Sequence, residues 1–249
     1  MGQLYRAGHN DCINDWILTM TTTLHLISSM ATKPLLADLV KLYAAHAPGV
    51  DVHVESVGGV DAAKRVEAGE PFDGVVLASN AIDKLIAGGH VLPGSRADLV
   101  HSDVAVAVPA GTPVPDISTE AALKAAILAT PTLGYSTGPS GVQLAKQFDT
   151  WGIAEQIAPR IVQAKPGVPV GSLVAKGEVA LGFQQRSEML GVQGITIVGS
   201  LPKAVEIITT FSGSVARTCS HPEAMRALLA FWQSSACDAL KRQHGMDPA

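Results

Sequence analysis

The sequence predicts an α/β protein of two lobes, with parallel-rich sheets, helices on both faces and a ligand cleft between the lobes. Three observations predict it. Short β-rich apolar runs alternate with amphipathic stretches of helical length, twice along the chain, and such βα series need crossover connections and therefore parallel strands. A chain of 249 residues is long enough for two cores of roughly 100–120 residues each. Apolar residues make up 47% of the chain and aromatics only 4%, so Ala, Val, Gly and Leu must fill the interior, as where helices pack on parallel strands.

The elements follow in order. Thr23–Ile27 alternates and is β-rich, a strand. After Ser28-Ser29 a helix runs from Lys33 to His46, with Pro34 in its first turn and Pro48-Gly49 beyond its end. Val50–Glu55 is a second strand, Ser56–Val60 a turn, and Asp61–Ala68 a short helix closed by Gly69. Gly74–Ala78 is a third strand followed by a helix over Asn80–Ala87, and the βαβαβα order implies a parallel sheet. His101–Val108 is a fourth strand, and the turn-rich Pro109–Pro115 reads as the break between lobes. The second series comprises a helix at Thr119–Leu128, a strand at Thr132–Tyr135, a helix at Val142–Trp151 and a strand at Arg160–Gln163. It continues with a helix at Ser172–Lys176, strands at Val179–Phe183 and Ile195–Val198, and a return strand at Glu206–Ser212. His221–Arg242 reads as one long amphipathic helix, with Met225, Leu228, Leu229, Trp232 and Leu240 on its apolar side. The expected organisation is an N-terminal extension over 1–22, one lobe from 23–105 and 208–249, and a second lobe over 106–207.

Several functions are excluded on composition. The net charge is −4 and no Lys/Arg cluster occurs, which argues against a nucleic-acid partner. The apolar runs are strand-sized, well below the ~20 residues of a membrane span, so no membrane insertion is expected. The three cysteines (Cys12, Cys219, Cys237) are an odd number at wide spacing, neither a disulfide framework nor a zinc pattern. The eight histidines are dispersed. With no metal-ligand spacing, nucleophile elbow or phosphate loop, no metal and no cofactor are expected. Met1–Thr19 is polar, with Asn10, Asp11, Asn14 and Asp15 where a secretory leader would be apolar, so the sequence as written predicts a cytoplasmic protein. A leader lying outside it would make the protein periplasmic.

Four strand-to-helix turns carry the candidate site: Ser28-Ser29, Gly58-Gly59, Ser136-Thr137 through Ser140-Gly141, and Val168 through Val170-Gly171. In open α/β sheets ligands bind beyond the carboxyl ends of strands. There the first N–H groups of each helix are unpaired and the helix dipole favours negative charge. Glycine permits close approach of the backbone and a hydroxyl adds a donor. The expected ligand is therefore a small anion held by Ser28, Ser29, Gly58, Gly59, Ser136, Thr137, Ser140, Gly141 and Val170. Gln184, at the end of a strand, and Lys33, in a first helical turn, are further candidates. Lys64 and Arg65 read as surface charges.

The segments Leu26–Thr32, Val57–Gly69, Phe72–Val91 and Leu173–Gln185, with the Pro222–Trp232 helix, resemble the type 2 periplasmic substrate-binding proteins, in particular their molybdate-binding-like branch. The resemblance runs from about Leu24 to the C-terminus. It implies a solute-binding protein whose partner is an ABC transporter permease. That branch holds its oxyanion with serines in the first two turns and a tyrosine after a late strand. Here Ser29 is kept, but Gly58, Gly59 and Val60 stand where the second serine is expected, and Gln184 stands at the tyrosine position. These departures point away from molybdate and toward an organic polycarboxylate. The branch also includes enzymes that interconvert the isomers of aconitate by a proton shift. The alternative reading is therefore a cytoplasmic isomerase of an unsaturated tricarboxylate, with its base not assigned.

Overall fold

The computed structural model describes residues 21–165 and 167–249, and all but the end of the expected N-terminal extension lies outside them. The first series is β1 (Thr22–Ser29), α1 (Lys33–His46), β2 (Val50–Val57), α2 (Gly59–Glu67), β3 (Gly74–Ala78), α3 (Ser79–Ala87) and β4 (Ala97–Pro109). The second is α4 (Glu120–Ala129), β5 (Leu133–Tyr135), α5 (Pro139–Thr150), α6 (Ala154–Ile157), β6 (Ile161–Gln163), α7 (Val170–Ala175), β7 (Leu181–Gln185), α8 (Arg186–Met189) and β8 (Ile195–Ser200). The chain closes with β9 (Ile208–Val215), α9 (Pro222–Gln233), α10 (Asp238–Gln243) and β10 (Asp247–Pro248).

The strand order is β2-β1-β3-β9-β4-β7-β5-β6, with β8 and β10 also on β4. β1 runs parallel to β2 and β3, and β5 parallel to β6 and β7. The sheet is not parallel throughout, however. β9 is antiparallel to both β3 and β4, and β7 and β8 are antiparallel to β4. The physical reason is the route of the chain. β4 runs straight out of one lobe into the other, and β9 returns in the opposite sense, so this pair separates the two parallel series. β4 pairs with β9 up to Asp103↔Ile208 and with β7 from Val104↔Gln185, so the change of lobe falls between Asp103 and Val104. The Pro109–Pro115 turn follows the end of β4.

Alternation on the strands buries both faces. Leu24 and Leu26 of β1 join Leu36 and Leu39 of α1 and Leu228 and Trp232 of α9 on one face. Ile27 of β1 and Val75 and Leu77 of β3 meet Val66 of α2 and Ile82 of α3 on the other. In the second lobe Val106, Leu133 and Phe183 pack with Leu123 of α4 and Leu144 and Phe148 of α5. Val170 and Val174 of α7 cover the reverse side, where Gly182 leaves room for Val174.

The long C-terminal helix breaks into α9 and α10. Ser234 is extended (φ −70°, ψ 156°), and its hydroxyl donates to the carbonyl of Phe231 at 2.7 Å. A serine hydroxyl that takes up a backbone carbonyl competes with the helix. The break sends the tail back to β4, where Asp247 pairs with His101. At the start of α5, a β-carbon on Gly141 would sit 1.7 Å from the carbonyl oxygen of Ser136. Glycine is required there because the Ser136 turn folds directly over the helix.

Two stability predictions follow from this packing. Trp232 has no exposed surface, so Trp232→Ala is expected to lower the unfolding free energy in urea by about 3–5 kcal/mol. A loss below about 1 kcal/mol would contradict the packing described. Gly141→Ala is expected to cost about 1–3 kcal/mol by overpacking and to displace the Ser136–Gly138 turn, visible as a lowered melting temperature together with weakened ligand binding.

Candidate functional site

The carboxyl ends of β1, β2, β3, β5 and β7 open on one cavity of about 1210 Å³ between the lobes. One wall comes from the first lobe: Ser29 and Ala31 after β1, Gly58 and Gly59 at the start of α2, and Ala78 and Asn80 at the start of α3. The facing wall comes from the second lobe: Ser136 through Ser140 at the start of α5, Val168 and Pro169 before α7, and Gln184, Gln185 and Glu188 around the β7–α8 junction. Phe211 of β9 also contributes.

The donors are backbone and hydroxyl groups. α2, α3 and α5 begin at Gly58, Ala78 and Gly138, and none of these three receives a side-chain cap from the described residues. Away from the cleft, α4 is capped by the Thr119 hydroxyl accepting from the Ala122 N–H at 3.1 Å, while α9 and α10 receive no cap from the described residues, like the cleft helices. Uncapped N–H groups with an aligned helix dipole favour an anion in the cleft. The Ser29 Oγ is buried at the cavity wall and has no partner among the described residues. A buried hydroxyl left unpaired costs free energy that a ligand oxygen recovers.

Of the residues expected from the sequence, Ser29, Gly58, Gly59, Ser136, Thr137, Ser140 and Gln184 line the cavity. Four stand elsewhere. The Ser28 Oγ lies 2.7 Å from the Ser56 Oγ and ties β1 to β2. Lys33 is exposed as the first residue of α1. Gly141 is buried beneath the Ser136 carbonyl. Val170 is buried in the α7 core.

The cavity also holds charged groups; Lys64, read from the sequence as a surface charge, is exposed and lines it, and the others had no assignment. Lys64 and Lys84 come from the first lobe and Lys146 and Lys165 from the second, with Asp61 and Glu67 as acidic neighbours. The lysine ion pairs among the described residues are made by Lys41, Lys203 and Lys241, none of which lines the cavity. The most informative residue is Glu188. Burial pushes its carboxyl up to about 7, while a hydrogen bond from Gln184 pulls the other way. The Gln184 Oε1 is itself fixed by the Gly171 N–H at 3.0 Å. Glu188 lies four residues after Gln184, in the short helix directly beyond the fully buried strand β7, and nothing in the sequence alone marks it.

Among the described residues no helix is long and apolar enough to cross a membrane, and no group of three or more His, Cys, Asp or Glu is placed to hold a metal ion. Comparison with known proteins agrees with this architecture. The chain is 36% identical over 238 residues to an aconitate isomerase of a Pseudomonas species, covering 91% of this chain and 88% of that protein. The periplasmic molybdate-binding protein of Azotobacter vinelandii superposes with a TM-score of 0.74 at 18% identity, covering 90% of this chain and 98% of the other. The sulfate-binding protein of Mycobacterium tuberculosis H37Rv gives a TM-score of 0.75 at 17% identity, covering 92% and 87%. These two structures share the two-lobed type 2 periplasmic binding protein fold. Residues 24–247 match the family described as bacterial extracellular solute-binding protein, and the chain belongs to that family.

Proposed function

We propose that the cleft binds an unsaturated tricarboxylate and that Glu188 shifts a proton between two of its carbons, an isomerisation of the aconitate kind. The observation that carries this reading is a carboxyl group, pushed to about 7 by burial, inside a cleft lined for an anion. In a site that only holds an anion, a permanently ionised carboxylate would repel the ligand. A carboxyl poised near neutrality can take up a proton and return it. The 36% identity to an aconitate isomerase supports the same chemistry.

The step balances without a cofactor. In trans-aconitate a methylene lies between a carboxylate and the double bond. The Glu188 carboxylate takes one methylene proton, and the electron pair spreads over the allylic carbons and onto the carboxylate oxygens. The carboxyl then returns a proton to the former vinylic carbon, and the double bond moves by one position. Charge accumulates on ligand oxygens in between. The available donors are the Ser29 and Ser140 hydroxyls and the open N–H groups of α2 and α5, and fixed donors of this type stabilise developing oxyanions. Lys64, Lys84, Lys146 and Lys165 offer charge for the outer carboxylates.

A second reading keeps the binding and omits the turnover: a protein that delivers an organic anion to an ABC transporter permease. The family description and the solved binding proteins of the same fold favour it.

One experiment separates the two. Protein is added to trans-aconitate in heavy water and proton NMR follows the cis isomer and deuterium uptake at carbon. Turnover is expected, and Glu188→Gln is expected to lower it by about 10²–10⁴ while calorimetric affinity changes only a few-fold. Because the base must be ionised, the rate should rise with pH through about 7. Binding with no exchange at any pH would leave the transport reading.

A further inference from the structure

Soluble proteins leave single valines exposed without consequence, but clustered apolar exposure marks a contact surface. Val60, Val142 and Val168 are 57%, 51% and 38% exposed, and all three line the cleft. They come from both lobes. Val60 lies in the first turn of α2, directly after Gly59; Val142 lies in the first turn of α5, two residues after Ser140; Val168 lies just before Pro169 and α7. Each wall therefore sets an apolar side chain beside its hydrogen-bond donors.

An inorganic oxyanion offers only oxygens and cannot use these valines. A carboxylate with a carbon chain presents both oxygens and apolar carbon, and it would dehydrate them while its oxygens meet the donors. We propose that Val60, Val142 and Val168 are the residues by which the cleft selects an organic carboxylate over an inorganic oxyanion such as sulfate. This deepens the tricarboxylate reading and rests on it for the choice of ligand. The valines grip the carbon skeleton, the helix starts and hydroxyls hold the oxygens, and selectivity is the difference between the two sets of contacts.

Threonine keeps the shape of valine and replaces a methyl with a hydroxyl, so it tests polarity with little change of volume. Trans-aconitate and sulfate are titrated calorimetrically into the wild type, the double variant V60T/V142T and the double variant V60I/V142I. The wild type is expected to bind trans-aconitate more tightly than sulfate. V60T/V142T is expected to lose about tenfold for trans-aconitate and less than about twofold for sulfate. V60I/V142I is expected to keep the preference. Equal losses for both ligands, no loss for either, or a wild type that prefers sulfate would each overturn the inference. Both substitutions lie at exposed positions, and an unchanged melting temperature verifies folding. Should the threonine pair fail to fold, the single variant Val142→Thr carries the same comparison. A preference that disappears with the valines while no isomer forms would sink the isomerase reading alone.

Discussion

The Gln184 side chain serves two purposes. Its oxygen accepts the Gly171 N–H at 3.0 Å, which anchors the end of β7 to the start of α7. The same side chain favours the ionised form of Glu188, four residues further along the chain. Two opposed effects meet at that carboxyl. Burial favours the neutral form and the amide donor favours the ionised form. A balance near 7 is the condition under which one group can both accept and return a proton at neutral pH.

The fold brings this group to the junction of the lobes. β4 and β9 run between the two parallel series, and the polar contacts beside the site bridge them. The Ser187 hydroxyl donates to the Ala31 carbonyl at 3.1 Å, which joins α8 of the second lobe to the first turn after β1. Gln185 and the Thr209 hydroxyl meet at 2.6 Å and bind the end of β7 to β9. Ser187 and Gln185 flank the Gln184–Glu188 pair in sequence. The position of the carboxyl is therefore coupled to how the two lobes sit against each other, and a ligand that contacts both walls acts on both.

Much of the fold was legible in the sequence because periodicity reports burial directly. The βα series of each lobe, the Pro34 helix start and the Gly69 stop follow the pattern, but α7 begins two residues earlier than read, at Val170, and β7 two residues later, at Leu181. The antiparallel β4 and β9 were not legible, since strand direction across a sheet depends on the route of the chain and not on local pattern. The break at Ser234 was missed because the apolar stripe continues past it from Trp232 to Leu240. The donor-rich turns were readable from their Ser and Gly content, yet Ser28 and Ser29 are adjacent and only the structure separates the one that ties two strands from the one that faces the cavity. Glu188 could not be read as special, because a glutamate in a short helix is ordinarily solvated. Its significance comes from its place in the cleft and the burial that raises its pKa, neither of which local sequence reports.

The central claim is that a glutamate in the cleft titrates near neutrality. Carbon-13 NMR of protein labelled at the glutamate carboxyls tests it without reference to any ligand or reaction. One resonance is expected to titrate with a midpoint near 7 and to be missing from the spectrum of the Glu188→Gln protein. A Glu188 resonance with a midpoint near the ordinary value of about 4.3 would contradict the account, because the group would then be a fixed negative charge in an anion site.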